Sequence, residues 1–336
     1  MEANKQQILL SVQDVKKYFP ISHGGGKDKV LKAVDGVSFA IQKGETFGLV
    51  GESGCGKSTL SRLILQLTSV SGGSVQFEQI ELTNKSRKQL RPVRKQIQVV
   101  FQDPYDSINP RMTLRQVVEE PLVIHRVDKT VRAERVKKLF DDVGLPEKLL
   151  DRYPHQLSGG QRQRLCIARS LALSPKLLIC DEAVSALDVS IQAQILNLMM
   201  DLKKEHGLTY LFISHNLSVV KFISDRIAVM YFGKLVETAT KEELFKNCLH
   251  PYTYGLLCAV PVPDPRLRRE RLLLSGDVPN LYERTEGCIF VERCPFKQER
   301  CKLEAPKMRN MGGTHEVACH FAGELPLKLT WGSAPC

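Results

Sequence analysis

A glycine-rich segment near the N-terminus has the spacing of a phosphate-binding loop. Gly51-Glu52-Ser53-Gly54-Cys55-Gly56-Lys57-Ser58 fits the pattern G-x-x-x-x-G-K-[ST]. Its glycines let successive backbone N–H groups surround a phosphate, and a helix that follows directs the positive end of its dipole at the same group. Lys57 would reach the terminal phosphates, and Ser58 would offer its hydroxyl to Mg²⁺. The segment, with Thr59 beside it, therefore predicts a site for a nucleoside triphosphate.

Two carboxylates follow an apolar run later in the chain. Leu177-Leu178-Ile179-Cys180 has the composition of a buried strand, and Asp181 and Glu182 come directly after it. Asp181 suits a Mg²⁺ ion that is bound through water, and Glu182 can polarise the water that attacks a γ-phosphate. Two acids after a strand are common in proteins. We favour a functional role because this strand is expected in the same sheet as the phosphate-binding loop.

The elements that position these residues alternate between strands and helices. Strands are predicted at 46–50, 97–101, 176–180, 208–213, 226–231 and 234–237, and helices at 57–67, 158–173 and 191–205, with a helical pattern from 112 to about 143. This alternation predicts an α/β fold with a mostly parallel sheet that is covered on both faces.

Composition excludes some classes of protein. The chain has 336 residues and a net charge of +11. No run approaches the ~18 apolar residues that span a bilayer, and the N-terminus lacks the pattern of a secretion signal. Basic charge fits an anionic ligand, an anionic membrane, nucleic acid or a solvated surface. The basic run at 85–95 lacks the interleaved aromatics that base stacking requires, and we expect no nucleic-acid partner.

A five-residue motif identifies the family. Leu157-Ser158-Gly159-Gly160-Gln161 resembles the signature of the ABC ATPases, and the chain is similar to that family from about residue 8 to 260. Further motifs stand in the family's order: Gln102 resembles the Q-loop glutamine, Asp188 lies in a segment like the D-loop, and His215 resembles the switch histidine. Several motifs in the right order are far more specific than any one of them.

The resemblance implies a fold and a set of roles. It implies an α/β P-loop NTPase, the ABC nucleotide-binding domain, over residues 1–260, with a helical subdomain at about 103–172 and a small Cys-rich extension over 261–336. The implied catalytic residues are Glu182, His215, Gln102 and Lys57. The implied Mg²⁺ ligands are Ser58, Gln102 and Asp181.

The signature also implies that these proteins work in pairs. Ser158, Gly159 and Gly160 open a helix, so their N–H groups form a second anion site. By resemblance, this site, with Gln161 and Asp188, faces the γ-phosphate held by the phosphate-binding loop of a second ATPase subunit. Two ATP molecules are then bound head to tail, and a monomer completes neither site.

An aromatic residue near the N-terminus is the implied partner of the adenine ring. Tyr18-Phe19 falls where the family places an aromatic that stacks on the base. The register favours Phe19, with Tyr18 as the alternative. Either side chain would also suit a hydrophobic core.

A closer resemblance is to the ATPases of oligopeptide and dipeptide permeases. The segments 101–113 and 180–190 and the sequence His250-Pro251-Tyr252-Thr253 carry it. Ala183 departs from the proline that the wider ABC family has there, and alanine is frequent in this subgroup. The resemblance implies the MgATP-hydrolysing subunit of a peptide importer, peripheral to the cytoplasmic face of the plasma (inner) membrane.

The same resemblance implies the partners. The chain would bind two transmembrane permease subunits, which receive dipeptides or oligopeptides from an extracytoplasmic binding protein. It would also pair with a second ATPase subunit, and a heterodimer is favoured over a homodimer. The alternative is a soluble ABC ATPase that acts on nucleic acid or ribosomes. About a hundred residues separate the phosphate-binding loop from the signature, with no long coiled-coil insertion and only one cassette, which favours the importer.

Four cysteines cluster near the C-terminus, where prolines multiply and the strand–helix alternation stops. Cys288, Cys294, Cys301 and Cys319 could hold tetrahedral zinc or a [4Fe–4S] cluster, and their spacing alone does not choose between them. The absence of C-x₂-C pairs disfavours zinc, and the flanking residues resemble the iron–sulfur tail of the same permease subgroup. A tail without metal is the third alternative. We expect this extension to fold separately and the ATPase core not to need it.

Overall fold

The computed structural model describes residues 7–21, 29–103, 107–260 and 286–327. These residues form two compact units, each built from several stretches of the chain. The first contains the described residues up to Leu10, together with Ala40–Thr46 and Gln76–Ser214. The second contains the described parts of Ser11–Phe39, Phe47–Val75 and the chain from His215 onwards.

The described strands and helices follow the predicted alternation closely. The strands are β1 (Ile8–Ile21), β2 (Lys29–Gln42), β3 (Thr46–Val50), β4 (Gly72–Phe77), β5 (Ile80–Glu81), β6 (Ile97–Val100), β7 (Leu177–Asp181), β8 (Thr209–Ser214), β9 (Arg226–Tyr231), β10 (Lys234–Thr240), β11 (Arg309–Asn310) and β12 (Glu316–Val317). The helices are α1 (Lys57–Ile64), α2 (Arg87–Gln96), α3 (Leu114–Ile124), α4 (Lys129–Asp142), α5 (Gly159–Leu171), α6 (Val189–His206), α7 (Leu217–Ile223), α8 (Lys241–Lys246), α9 (Pro251–Cys258) and α10 (Glu299–Leu303). Strands β1, β2, β4 and β5 form a sheet in the order β2-β1-β4-β5.

The first unit contains a parallel ladder that carries the acidic pair. Strand β7 pairs in parallel with β6 on one side and with β8 on the other, and Ile179 lies opposite both Val99 and Leu211. Every residue of β7 and β8 is buried. Such continuous apolar runs are expected of strands that are covered on both faces. The predicted strands at 97–101, 176–180 and 208–213 are therefore confirmed to within two residues.

Helices α3, α4 and α5 of the first unit pack on one another. They fall within the segment predicted to be a helical subdomain, although the predicted continuous helical pattern from 112 to about 143 is divided between α3 and α4. Helix α2 was not predicted, because the run at 85–95 was interpreted only by its charge. Ser86 and Gln89 form a capping box at its start, a signal that the sequence did contain.

The second unit joins the strand before the phosphate-binding loop to the C-terminal tail. Strand β3 pairs in parallel with β9, and β9 pairs antiparallel with β10. Strand β12 of the tail then pairs antiparallel with β10, with Glu237 opposite Val317, and β11 pairs with β12. The described tail thus lies in the same compact unit as the phosphate-binding loop, contrary to the expected separation. The boundary near 260 stays a prediction, and residues 261–285 lie outside the described residues.

Over the ranges that the structure describes, no helix combines the length and the apolar character needed to cross a membrane.

Candidate nucleotide-binding site

The phosphate-binding loop lies between buried strand β3 and helix α1, as the motif requires. Gly56 caps α1 with a φ of 107°. A Cβ atom on Gly56 would lie 2.2 Å from the carbonyl oxygen of Ala33, and one on Gly51 would lie 2.2 Å from that of Met230. No side chain fits at either position, because the chain passes too close to the neighbouring backbone. The glycines therefore shape a tight cradle at the N-terminus of α1, where an anion is favoured.

The loop carbonyls hold the side chain of Lys57. Its Nζ donates to the carbonyl oxygens of Gly51, at 2.8 Å, and Glu52, at 2.9 Å. The side chain is buried, and Nζ also lies 3.7 Å from the sulfur of Cys55. An isolated buried ammonium group would be costly, and these acceptors stabilise it. Phosphate oxygens are stronger acceptors, so a nucleotide can take over these donors.

Two residues outside the phosphate-binding loop hold Glu52 in place. Its backbone N–H donates to the hydroxyl of Tyr252 at 2.9 Å. Its carboxylate accepts two hydrogen bonds from Arg293, at 2.8 and 3.0 Å. Only 7% of the Arg293 side chain is exposed, and the hydrogen bonds to Glu52 raise the pKa of the guanidinium. Arg293 and Tyr252 lie 241 and 200 positions from Glu52, and no spacing pattern in the sequence links residues so far apart, so neither could be predicted as a partner of the loop.

The acidic pair lies at the end of β7 in the first unit. Asp181 is buried, and Glu182 adopts a φ of 52°, which is uncommon for a residue with a side chain. The N–H of Glu182 donates to the carbonyl of Ile213 at 2.9 Å, which fixes this turn. The amide of Gln102 donates to the Glu182 carboxylate at 3.2 Å. The structure thus brings together two residues that were predicted to act on one nucleotide.

The signature begins helix α5. Ser158 and Gln161 form a capping box: the Ser158 hydroxyl accepts the Gln161 N–H at 3.3 Å, and the Gln161 side chain accepts the Ser158 N–H at 3.0 Å. Ser158 and Gly159 are exposed. A Cβ on Gly160 would lie 2.7 Å from Ile191, so this glycine allows α5 to approach α6 closely. The helix start is thus open to solvent, and an anion is favoured at such a position.

The remaining predicted residues occupy exposed or half-buried positions. Asp188 is exposed and precedes α6, and His215 is exposed between β8 and α7. The hydroxyl of Tyr18 donates to Asp35. Phe19 exposes 36% of its surface. Neighbouring residues of a strand point to opposite faces, so only one of these two aromatics can stack on a base, and the exposed ring of Phe19 suits that role better.

The four tail cysteines lie near one another. The N–H of Cys288 donates to the carbonyl of Cys301 at 2.7 Å. Burial raises the pKa of Cys288 to about 12 and that of Cys294 to about 11, and the charges of the neighbouring thiols act in the same direction. Among the described residues, no three cysteines bring their sulfurs within 4.8 Å of one another.

Two family models match the chain. Residues 34–185 match the model described as "ABC transporter". Residues 236–301 match the model described as "Oligopeptide/dipeptide transporter, C-terminal region". The first match contains the phosphate-binding loop, the signature and the acidic pair, and the second contains Tyr252 and Arg293.

Similar proteins cover nearly the whole chain. It is 51% identical to the oligopeptide transport ATP-binding protein AppF of Bacillus subtilis (strain 168), over 96% of this chain and 99% of that protein. It is 47% identical to the dipeptide transport ATP-binding protein DppF of Escherichia coli (strain K12), over 95% and 96%. A solved ATP-binding cassette, MJ0796, in a dimeric post-hydrolysis state with ADP and phosphate, is 28% identical over 69% of this chain and 99% of that chain, with a TM-score of 0.62. These likenesses show the P-loop ABC ATPase fold.

Two substitutions separate nucleotide binding from hydrolysis. Glu182→Gln removes the proton acceptor but keeps a side chain that Gln102 can contact. We expect MgATP to bind with nearly unchanged affinity and the rate of hydrolysis to fall by a factor of about 10² or more.

Lys57→Ala removes a buried charge from the phosphate cradle, so the Kd for MgATP should rise by about tenfold or more. Equilibrium binding and steady-state phosphate release measure both effects. Hydrolysis by Glu182→Gln near the wild-type rate would exclude Glu182 as the proton acceptor.

Proposed function

The chain belongs to the oligopeptide/dipeptide family of ABC transporter ATP-binding subunits, and we propose that it energises peptide import by closing and opening as one half of an ATPase pair. The observation that carries this proposal is the full set of ABC motifs on a chain that is similar to peptide-transport ATPases over nearly its entire length. The alternative function, that of a soluble ABC ATPase that acts on nucleic acid or ribosomes, has no comparable support, because the named relatives are transport proteins.

The roles of the catalytic residues follow from the order of the family's motifs. Lys57 exchanges its loop carbonyls for the β- and γ-phosphate oxygens of ATP. Glu182 accepts a proton from the attacking water, and Gln102 orients the Glu182 carboxylate through the hydrogen bond that it donates. His215 serves as the switch histidine. This assignment rests on the hydrogen bonds within each unit and on the order of the family's motifs.

By the order of the family's motifs, Asp181, Ser58 and Gln102 would hold a magnesium ion, since carboxylate, hydroxyl and amide oxygens are the ligands that Mg²⁺ prefers. When bound, the ion neutralises charge on the phosphates. Asp181 is buried at the end of β7, as a carboxylate that supports a bound metal should be.

A second ATPase subunit completes the site. The exposed start of α5, with Ser158 and Gly159, would bind the γ-phosphate held by the partner. We favour a heterodimer with a related ATPase over a homodimer.

The complete transporter would contain two membrane-embedded permease subunits. The chain would bind them at the cytoplasmic face of the plasma membrane as a peripheral subunit, and an extracytoplasmic binding protein would deliver the peptide. Support comes from the relatives, which are named as oligopeptide and dipeptide transport ATP-binding proteins.

A [4Fe–4S] cluster is our proposal for the four tail cysteines. Their thiols lie close enough to influence one another's pKa, and four thiolates are the ligand set that such a cluster takes. Cys288, Cys294, Cys301 and Cys319 would be the ligands.

Substitution of the signature serine tests the paired mechanism. Ser158→Arg places a bulky charge at the exposed start of α5. We expect ATP binding at this chain's own phosphate-binding loop to stay near the wild-type affinity. Peptide uptake and hydrolysis at the partner's site should fall by at least about tenfold, because the second anion site is blocked. A hydrolysis defect confined to this chain's own site would contradict the head-to-tail arrangement.

Metal analysis tests the tail. Anaerobically purified full-length chain should contain about four irons and absorb broadly near about 400 nm. Cys294→Ser should lose most of the iron, whereas the buried Cys180→Ser, outside the tail, should keep it. About one zinc per chain would support the zinc alternative instead. A preparation without either metal would refute a metal site.

A further inference from the structure

A short turn of the C-terminal tail contacts the phosphate-binding loop by two routes. This turn, Val291–Arg293, lies between Cys288 and Cys294. Arg293 binds the Glu52 carboxylate directly. Phe290, which precedes the turn, packs against Tyr252, with ring centroids 5.5 Å apart. Tyr252 in turn accepts the backbone N–H of Glu52.

Glu52 is therefore bound at all three of its polar positions. Tyr252 accepts its N–H, Lys57 and the N–H of Cys55 donate to its carbonyl, and Arg293 binds its carboxylate. When Lys57 turns to a phosphate, its bond to the carbonyl is lost. The contacts from Tyr252 and Arg293 do not involve Lys57, so they can keep the loop in its binding conformation.

Charge gives Arg293 a second effect. Glu52 places a carboxylate within a loop that must attract phosphates, and like charges at short range oppose binding. The guanidinium of Arg293 neutralises that carboxylate in a bidentate pair that is largely shielded from water. Shielding makes the pair less sensitive to salt than a pair on the surface.

We propose that Arg293 is a positioning residue for the phosphate-binding loop, through which the C-terminal tail controls the affinity of the chain for nucleotide phosphates. Arg293 acts by fixing and neutralising Glu52 and touches no substrate itself. This inference rests on the proposed role of the loop, with Lys57, in binding ATP. It makes the tail part of the nucleotide site, although the sequence predicted an independent extension.

The test measures the Kd of the purified full-length chain for MgATP and MgADP. Arg293→Gln should raise the Kd for MgATP about fivefold, because it leaves an unpaired carboxylate in the loop. The increase should be smaller for MgADP, which carries less charge. Arg293→Lys keeps the positive charge but cannot form the bidentate pair of a guanidinium. Its Kd for MgATP should therefore lie between those of Arg293→Gln and the wild type.

A double substitution separates positioning from general stability. Glu52→Gln removes the unpaired carboxylate, so Arg293→Gln combined with Glu52→Gln should bind MgATP more tightly than Arg293→Gln alone. If Arg293 acted only by stabilising the fold, the two substitutions would add, and the affinities for MgATP and MgADP would fall equally. Thermal unfolding of each variant tests that reading directly.

Two controls distinguish the ways in which the proposal can fail. Arg300→Gln removes another tail arginine, whose ion-pair partner Glu304 is also in the tail, and should bind nucleotide like the wild type. If Lys57→Ala also bound MgATP like the wild type, the role of the loop itself would be wrong. If Lys57→Ala lost affinity while Arg293→Gln did not, only the role of Arg293 would be overturned.

Discussion

The anchoring of Glu52 is the interaction on which the phosphate-binding half of this protein depends. A phosphate cradle must hold its backbone in a narrow arrangement, yet a glycine-rich loop has little intrinsic preference for one conformation. Here the side chains of Tyr252, Lys57 and Arg293 all bind Glu52, the residue that follows Gly51 in the loop. Two of them, Tyr252 and Arg293, come from the C-terminal part of the chain. These two contacts join the family's C-terminal region to the phosphate-binding loop.

Each unit holds its reactive groups by hydrogen bonds that a nucleotide can replace. Lys57 is bound to loop carbonyls in one unit, and Glu182 accepts from Gln102 in the other. The Lys57 ammonium is buried, which would be costly without such acceptors, so they stabilise the protein when no nucleotide is bound. The signature is different, since its helix start is exposed and its capping box leaves an anion site for a partner to occupy. This exposed helix start is the feature that the proposed pairing with a second ATPase subunit would use.

Much of the nucleotide site and of the fold could be predicted from the sequence, because the motifs and strands concerned are formed by residues that are close together in the chain. The phosphate-binding loop, the acidic pair and the signature are short motifs whose spacing reports the backbone geometry directly, and apolar runs predicted β3, β7 and β8. The tail could not be predicted in the same way. Arg293 and Glu52 are 241 residues apart, and a charged residue in a proline-rich region gives no sign of its partner. The change in composition near residue 260 suggested a separate extension, whereas strand pairing between β10 and β12 joins the described tail to the ladder that includes β3.

Hydrogen exchange of the full-length chain tests the central claim most directly, because it follows the loop and the tail in one experiment. If the tail is part of the nucleotide site, saturating MgADP should slow the exchange of amides in 51–58 and also in 286–294. Protection of 51–58 with no change in 286–294 would contradict the account, since the loop would then respond to nucleotide independently of Arg293.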